Sequence, residues 1–360
     1  MEPRLKFQRE RTFQQELQTL VENRLAALGR SRYGSSRLYL KTIVLFLWAG
    51  ASYAGLLASS HWWQALPLAV SMGLALASLG FNVGHDGNHG AGSPSKGANR
   101  TLGAAFDLLG GSSFVWRFKH NVLHHSYPNV VGLDDDIDLG PLCRMSRHQA
   151  HLPFHRLQHL YMWLLYGLIV PKWHLWDDFA AVAKGRVGDS PFVRPRGADL
   201  ALFLGGKLVF FAWALVIPAL LHPLWMVLLF YGIASYVQGV ALSVVFQLAH
   251  SNDETESFVP AETGTATGKE WAIHQVETTA NFARHNRLLS WYVGGLNHQI
   301  EHHLFPRISH VHLPAISDVV EQVCKKHGVR YRAHPTMTGA IASHYRWLRD
   351  LGKPPEAAAA

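Results

Sequence analysis

The chain has 360 residues, with 33 Lys and Arg against 25 Asp and Glu, 23 histidines and only two cysteines, Cys143 and Cys324. Two cysteines exclude a disulfide framework and a cysteine-based metal cluster, and fit a reducing compartment. The net charge of +8 carries no Arg–aromatic repeat, which argues against a nucleic-acid surface, and the apolar residues fall in a few long blocks, the pattern of a membrane protein.

The first forty residues lack the apolar core of a signal peptide. Thr12 to Gly29 instead sets Phe13, Leu17, Leu20, Val21, Leu25 and Leu28 at helical spacing and ends at glycine, which predicts an amphipathic helix on the membrane or on the protein. No Asp, Glu, Lys or Arg occurs from Thr42 to Gly84 or from Leu208 to Asn252. Each run is far longer than the roughly 20 residues of one crossing and reads as a helical hairpin. The first spans 38–59, turns at His61, Trp62, Trp63 and Gln64, and returns over 65–84; the second spans 200–221, turns at His222 and Pro223, and returns over 224–249, with Lys207 near enough to one end to snorkel. In the loop between the hairpins, Tyr161–Val170 is too short to span and Thr101–Trp116 is interrupted by glycine, so both are expected at the membrane interface. Neither hairpin turn carries Lys or Arg, which places the N-terminus, the central loop and everything after His250 on the cytosolic side.

The expected fold is an all-α integral membrane protein. An amphipathic cytosolic segment covers 1–37. A unit over 38–312 has four transmembrane helices as two hairpins, with a cytosolic helical cap carrying a histidine-rich dimetal site. A cytosolic C-terminal segment covers 313–360, with a disordered tail from Pro354.

Histidine patterning marks that cap. At this histidine frequency chance predicts about 0.09 occurrences of HxxxHH, yet two are present, His120/His124/His125 and His298/His302/His303. A further HxxxH, His85 and His89, follows the second span. Residues four apart share a helix face, so both imidazoles can point at one ion while an adjacent histidine reaches a second. Carboxylates that hydrogen-bond the outer ring nitrogens would support such ligands; Asp86, the run Asp134, Asp135, Asp136 and Asp138, and Glu301 are candidates. The acidic run reads equally as a solvated turn or a docking point for a basic partner. The row His151, His155, His159 has the same periodicity but precedes an interfacial stretch and is not expected to bind metal. His310 and His312 are expected to support the site or lie at the surface.

HDGNHG, HNVLHH and GGLNHQIEHHLFP, in this order around two apolar hairpins, resemble the three histidine boxes of the membrane fatty acid desaturase family over about Leu38 to His312. The resemblance implies a non-haem centre of two iron ions on the cytosolic face that uses O₂ and two electrons to introduce a double bond into a fatty acyl chain. It implies ligand roles for His85, His89, His120, His124, His125, His302 and His303, and for His250 at the end of the fourth span, where the structural alternative is a helix-capping histidine. The third box resembles the QxxHH pattern of front-end desaturases, which implies Gln299 as a further ligand, with His298 kept beside it.

The chemistry demands metals, because no side-chain base breaks an unactivated methylene C–H bond. The protein's part is an apolar tunnel that fixes one methylene near the ions, with Phe114, Trp116 and Trp291 as candidate wall residues. The acyl group could be linked to a lipid, to CoA or to a carrier protein. No dinucleotide fingerprint, cysteine cluster or cytochrome b5-type HPGG motif is found, so a separate donor, a ferredoxin or a cytochrome b5-like protein, is expected to dock on the basic cytosolic surface. A fatty acyl or lipid hydroxylase is the nearest alternative. A membrane metal transporter fits less well, since its ligands would lie within the spans.

Overall fold

The computed structural model describes residues 6–8, 10–137, 139–258 and 268–354. Asp138 of the acidic run and the tail after Pro354 lie outside the described residues. The helices that position the site are α1 (Thr12–Ala27), α2 (Ser36–Ala58), α3 (Trp62–His89), α4 (Ala198–Ala219), α5 (Leu224–His250), α6 (Trp271–Glu277), α7 (Gln299–Leu304), α8 (Leu313–Lys326) and α9 (Met337–Leu351). Of these, α2 to α5 are long and apolar enough to cross a membrane, so the protein is a mostly helical membrane protein with almost no sheet and four candidate spans.

Local chemistry sets the ends of the spans. The Ser35 side chain accepts from the Arg37 amide and caps α2, and Gln64 Oε1 accepts from the amides of Ser60 and His61 to close the first hairpin. The second hairpin turns through Leu221, His222 and Pro223, where proline can precede a helix but not continue one. The sequence predicts that the second span stops at Gly84, but α3 continues through a π-helical turn over Gly80–Gly84 and carries His85 and His89 as its last turn. Asn82 stabilises the widened turn by donating to the Ser78 carbonyl (2.7 Å) and the Tyr292 carbonyl (3.0 Å). A Cβ on Gly84 would stand 2.8 Å from Phe106, so only glycine lets the loop ring close on the turn. Gly90, at φ 72, then ends the helix in the left-handed region.

The amphipathic helix rests on the protein. Phe13, Leu17, Val21 and Leu25 are buried in one core with Ile300 and Leu304 of α7 and with Leu313, Ile316, Val320 and Val323 of α8, while Leu20 and Leu28 stay exposed. Each such burial contributes roughly 1.5–3 kcal/mol. Glu270, just before α6, accepts from Thr12 Oγ1 (3.0 Å) and from the amides of Phe13 and Gln14 (both 3.2 Å), filling the open N-terminus of α1. The third histidine box therefore sits in a core built from both ends of the chain. A parallel pairing of Asn281–Phe282 with Ala333–His334 ties the same region to the C-terminal segment.

The stretch 158–177 runs against α5, its Tyr166 carbonyl accepting from Ser243 Oγ (3.1 Å) and His174 Nδ1 meeting the Tyr231 hydroxyl (3.0 Å). Its other face exposes Leu160, Leu164, Leu168, Leu175 and Trp176, an apolar stripe suited to lipid. Lys207 departs from expectation: it is 4% exposed, so it does not snorkel. Its ammonium donates to Asp178 Oδ2 (2.7 Å), the Gly110 carbonyl (2.6 Å) and the Trp173 carbonyl (3.2 Å). A carboxylate and two carbonyls meeting in the packed interior compensate the charge better than a stretched stem reaching for water. Asp178→Ala, which strands the buried ammonium, is expected to destabilise the protein by about 3–5 kcal/mol, whereas Lys207→Met combined with Asp178→Leu is near neutral. Thermal unfolding in detergent checks this, and equal losses in the two variants would contradict it.

Candidate metal centre

The three boxes converge at the upper ends of α3 and α5. One ring nitrogen from each of His85, His89, His120 and His302 lies within 4.8 Å of the others, and the same holds for His124, His250 and His303; all are buried. His125 stands between, its Nε2 3.2 Å from His120 Nε2 and 3.1 Å from His302 Nε2, and its ring stacks on His303 with centroids 4.3 Å apart.

Backbone geometry decides which histidine joins which group. The second box lies in a π-helical stretch, Arg117–His124, in which the His125 amide bonds the His120 carbonyl (2.9 Å). Facing residues are then five apart, not four, so His120 and His125 meet while His124 points into the other group. His120 and His124 nonetheless keep ring nitrogens within 4.8 Å of each other and of an Asp136 carboxylate oxygen, so the four-residue pair also remains able to share one ion. In the third box α7 begins at Gln299, with His298 as a non-helical residue at φ −106, ψ 57 before it. The helical pair is therefore Gln299 and His303, and both reach His250: Gln299 Nε2 lies 2.9 Å from His250 Nε2, and the His303 and His250 ring centroids are 4.8 Å apart. An amide turned by half a rotation presents Oε1 at that place. His298 belongs to neither group; its ring nitrogens are buried without a hydrogen-bond partner among the described residues, Nδ1 lies 4.0 Å from Glu301 Oε2, and burial together with the Arg284 charge pushes it down to about 4.

Second partners orient the rings. Asp134 receives His124 Nδ1 at 3.1 and 3.2 Å and is itself held by the amides of Asn129 (2.8 Å) and Asp136 (3.0 Å). Gln275 Oε1 accepts from His303 Nδ1 at 2.8 Å. Sequence reasoning misses Gln275, since α6 carries no histidine box; its only signal is a polar residue on the apolar face that holds Ala272 and Val276. Asp136 stands 4.0 Å from His120 Nδ1 and 3.8 Å from His124 Nδ1, and Lys119 pairs with Asp135 and Asp136 (both 3.0 Å). Trp116 stacks on His120 (centroids 4.3 Å) and Phe246 on His250 (4.7 Å), closing the site with aromatic walls.

Asp86 and Glu301, also expected to orient ligands, bond other groups. Asp86 accepts from Ser309 Oγ (2.6 Å) and His310 Nδ1 (2.9 Å), and His310 Nε2 meets Lys41 Nζ at 3.1 Å. Glu301 accepts from Asn281 (2.8 Å), Ser317 (3.1 Å) and Tyr331 (2.7 Å). Both carboxylates bind box to scaffold rather than ring to metal, because their own neighbours saturate them. His312 meets the Tyr33 carbonyl (2.9 Å). His151 and His155 meet the carbonyls of Gly352 (2.9 Å) and Pro141 (2.8 Å), and neither belongs to a metal-competent group among the described residues.

The donor set fits metal ions. With Nδ1 of His124 and His303 spent on Asp134 and Gln275, two lone pairs face each other across 3.2 Å between the Nε2 atoms. Two acceptors at that distance need a cation, and the separation suits two nitrogens each about 2.1 Å from one ion. Both ring nitrogens of His85, Nε2 of His89 and Nδ1 of His250 are buried without a hydrogen-bond partner among the described residues. Burial, followed by neighbouring imidazoles, pushes His120, His125, His302 and His303 well below the ordinary value and keeps them neutral, the ligating form. Burial also opposes charge on His124, yet Asp134 raises it: this position asks for positive charge, which a metal supplies as well as a proton.

Four spans crowned by clustered buried histidines define a membrane protein with a metal-binding centre. The "Fatty acid desaturase" family profile matches residues 60–335, and the chain belongs to that family. It is similar to an sn-1 linoleoyl-lipid 6-desaturase of Synechocystis sp., 38% identical over 352 residues that cover 97% of this chain and 98% of the relative. An enzyme of the same description from Arthrospira platensis is 36% identical (96% and 94% covered), and an acyl-lipid (8-3)-desaturase of Physcomitrium patens is 34% identical (92% and 71%). The chain is thus an oxidoreductase of lipid metabolism, and neither a hydroxylase nor a metal transporter is favoured by these relatives.

Asp134→Ala and Gln275→Ala, which remove the acceptors that orient His124 and His303, are each expected to weaken metal affinity roughly 10–100-fold. Chelator titration followed by metal analysis reads this; unchanged retention would contradict the orienting role.

Proposed function

We propose that this protein is a front-end acyl-lipid desaturase that introduces a double bond at the 6 position of an acyl chain esterified in a membrane lipid, with its site on the cytosolic face. The reading rests on one observation above others: two groups of buried imidazoles held at the ends of two spans, with ring nitrogens facing each other. The names of the Synechocystis and Arthrospira relatives support the substrate class and the position, and the basic-poor hairpin turns support the orientation.

In this reading the unit 38–312 carries the site, and helices α1, α8 and α9 of the flanking segments complete its cap. His85, His89, His120 and His302 hold one iron, His124, His250, His303 and Gln299 hold the other, and His125 stands between them; His298 is left out because its ring nitrogens join neither group. When bound, the irons supply the reduction of O₂ that oxidises an otherwise inert methylene pair, and the balance closes with two electrons, two protons and two waters. The chain's own residues do the rest. Asp134 and Gln275 keep Nδ1–H on His124 and His303, so Nε2 stays free to ligate. Trp116 and Phe246 press against the rings and exclude water. Among the spans, a narrow apolar cleft is lined by Leu56, Met72, Leu76, Trp213 and Phe230. Leu76 precedes His85 on α3 by roughly 13 Å of helix, so the cleft is no reaction chamber but suits the methyl end of a chain whose reacting carbons lie above it. The electrons come from a separate carrier.

Lipid profiling of cells that express the chain should show a new unsaturated acyl species that His125→Ala abolishes; a hydroxylated product without a double bond would overturn the reading. For the third box, Gln299→Ala is expected to lower the bound iron below that of wild type while His298→Ala leaves it unchanged. Iron counted per protein decides this, and the reverse pattern would make His298 the ligand.

A further inference from the structure

A neutral imidazole has two nitrogens but one lone pair, so an ion can capture a histidine by either edge of its ring but not by both. In the second box that choice is open. On the inner edge, His120 Nε2 faces His125 and His124 Nε2 faces His303, both at 3.2 Å. The two rings lie nearly parallel, 25° apart with centroids at 5.1 Å, and their outer edges present the two Nδ1 atoms to Asp136. Asp136 Oδ2 stands 4.0 Å from His120 Nδ1 and 3.8 Å from His124 Nδ1. Two imidazoles and a carboxylate, with donor atoms all within 4.8 Å of one another, make a set that a divalent ion such as zinc accepts.

An ion held on that outer edge would do harm. Each ring would give up the proton on Nδ1 and take one on Nε2, and both histidines would leave the inner groups. Since His120 belongs to one group and His124 to the other, one misplaced ion would take a ligand from each iron. Asp134 resists this at His124 by accepting its Nδ1–H at 3.1 Å. His120 has no such guard, because Asp136 at 4.0 Å is too far to hold a proton on its Nδ1.

Lys119 fills the gap. Its ammonium lies 3.0 Å from Asp136 Oδ1 and 3.0 Å from Asp135 Oδ2, on a side chain only 23% exposed, and is close enough for its charge to bear on the His124 ring. A positive charge seated on one oxygen of Asp136 repels a cation arriving at the other. While protonated, lysine has three donors and no lone pair, so it neutralises the acidic turn without competing for metal. We propose that Lys119 is a built-in counter-ion that closes a third metal position on the outer edge of the second box and so keeps His120 and His124 available to the two irons. This deepens the two-iron reading and rests on it. The competing role is a structural clip, in which Lys119 merely fastens the second box to the acidic turn.

The test uses the full-length protein in nanodiscs, freed of metal and reloaded anaerobically with Fe(II) against rising Zn(II), with iron and zinc counted per protein after desalting. Lys119→Met removes the charge at similar length, Lys119→Arg keeps it, and Lys119→Met/Asp136→Asn removes the outer carboxylate as well. Lys119→Met is expected to take up two irons without zinc, and to lose half of them at a roughly tenfold lower zinc concentration than wild type while retaining one zinc. Lys119→Arg should follow wild type, and adding Asp136→Asn to Lys119→Met should restore wild-type resistance to zinc. A clip predicts the opposite for the double variant, which loses both halves of the fastening. The proposal is overturned by unchanged zinc sensitivity in Lys119→Met, by a sensitivity that Asp136→Asn does not relieve, by an arginine variant as sensitive as the methionine one, or by loss of iron from Lys119→Met before zinc is added. A wild-type protein that fails to take up two irons would instead sink the two-iron reading itself.

Discussion

Lone pairs facing lone pairs are the constraint on which this structure turns. A neutral imidazole has one donor and one acceptor nitrogen, and once the donor is committed to Asp134 or Gln275, burial leaves the acceptor with nothing to accept. Such a cluster repels itself until a cation enters it, so the polypeptide must hold it together by other means. Those means surround it: a span running straight into the first box, a π-helical loop for the second, and for the third a short helix wedged in a core made by α1 and α8.

Polar links do the fine adjustment. Asp86 ties the first box to the chain after the third, and Glu301 ties the third box to Asn281 and Tyr331, near the parallel pairing with the C-terminal segment. Neither carboxylate hydrogen-bonds a ring of either histidine group. Their burial would be costly without full hydrogen bonding, and here each is satisfied by groups from elements distant in sequence, so the cap coheres as one body.

The spans and the boxes were legible in the sequence because both rest on one-dimensional signals: absence of charge over long runs, and histidines at short spacing. The association of α1 with the protein and not the lipid was not, because a helical stripe reads alike against either apolar partner. Lys207 was misread since its partner, Asp178, lies in another segment and no local pattern joins them. The division of histidines between the two groups was hidden for a subtler reason: spacing becomes geometry only once the helix type is known, and the π-helical stretch adds a five-residue contact, His120 with His125, to the four-residue one. Gln275 carried no periodic signal at all.

The continuity of α3 has a mechanical side. Its 28 residues make a rod about 42 Å long whose lower end begins at the hairpin turn and whose upper end is the first box. A tilt of one degree about the lower end moves the upper end sideways by roughly 0.7 Å, a displacement comparable to the tolerance of a ligand sphere. Helices tilt to match the thickness of the bilayer they occupy. At that upper end the Lys41–His310–Asp86 chain links the first box to the second turn of α2, so the end of the rod most exposed to such displacement is also tied sideways to its neighbour.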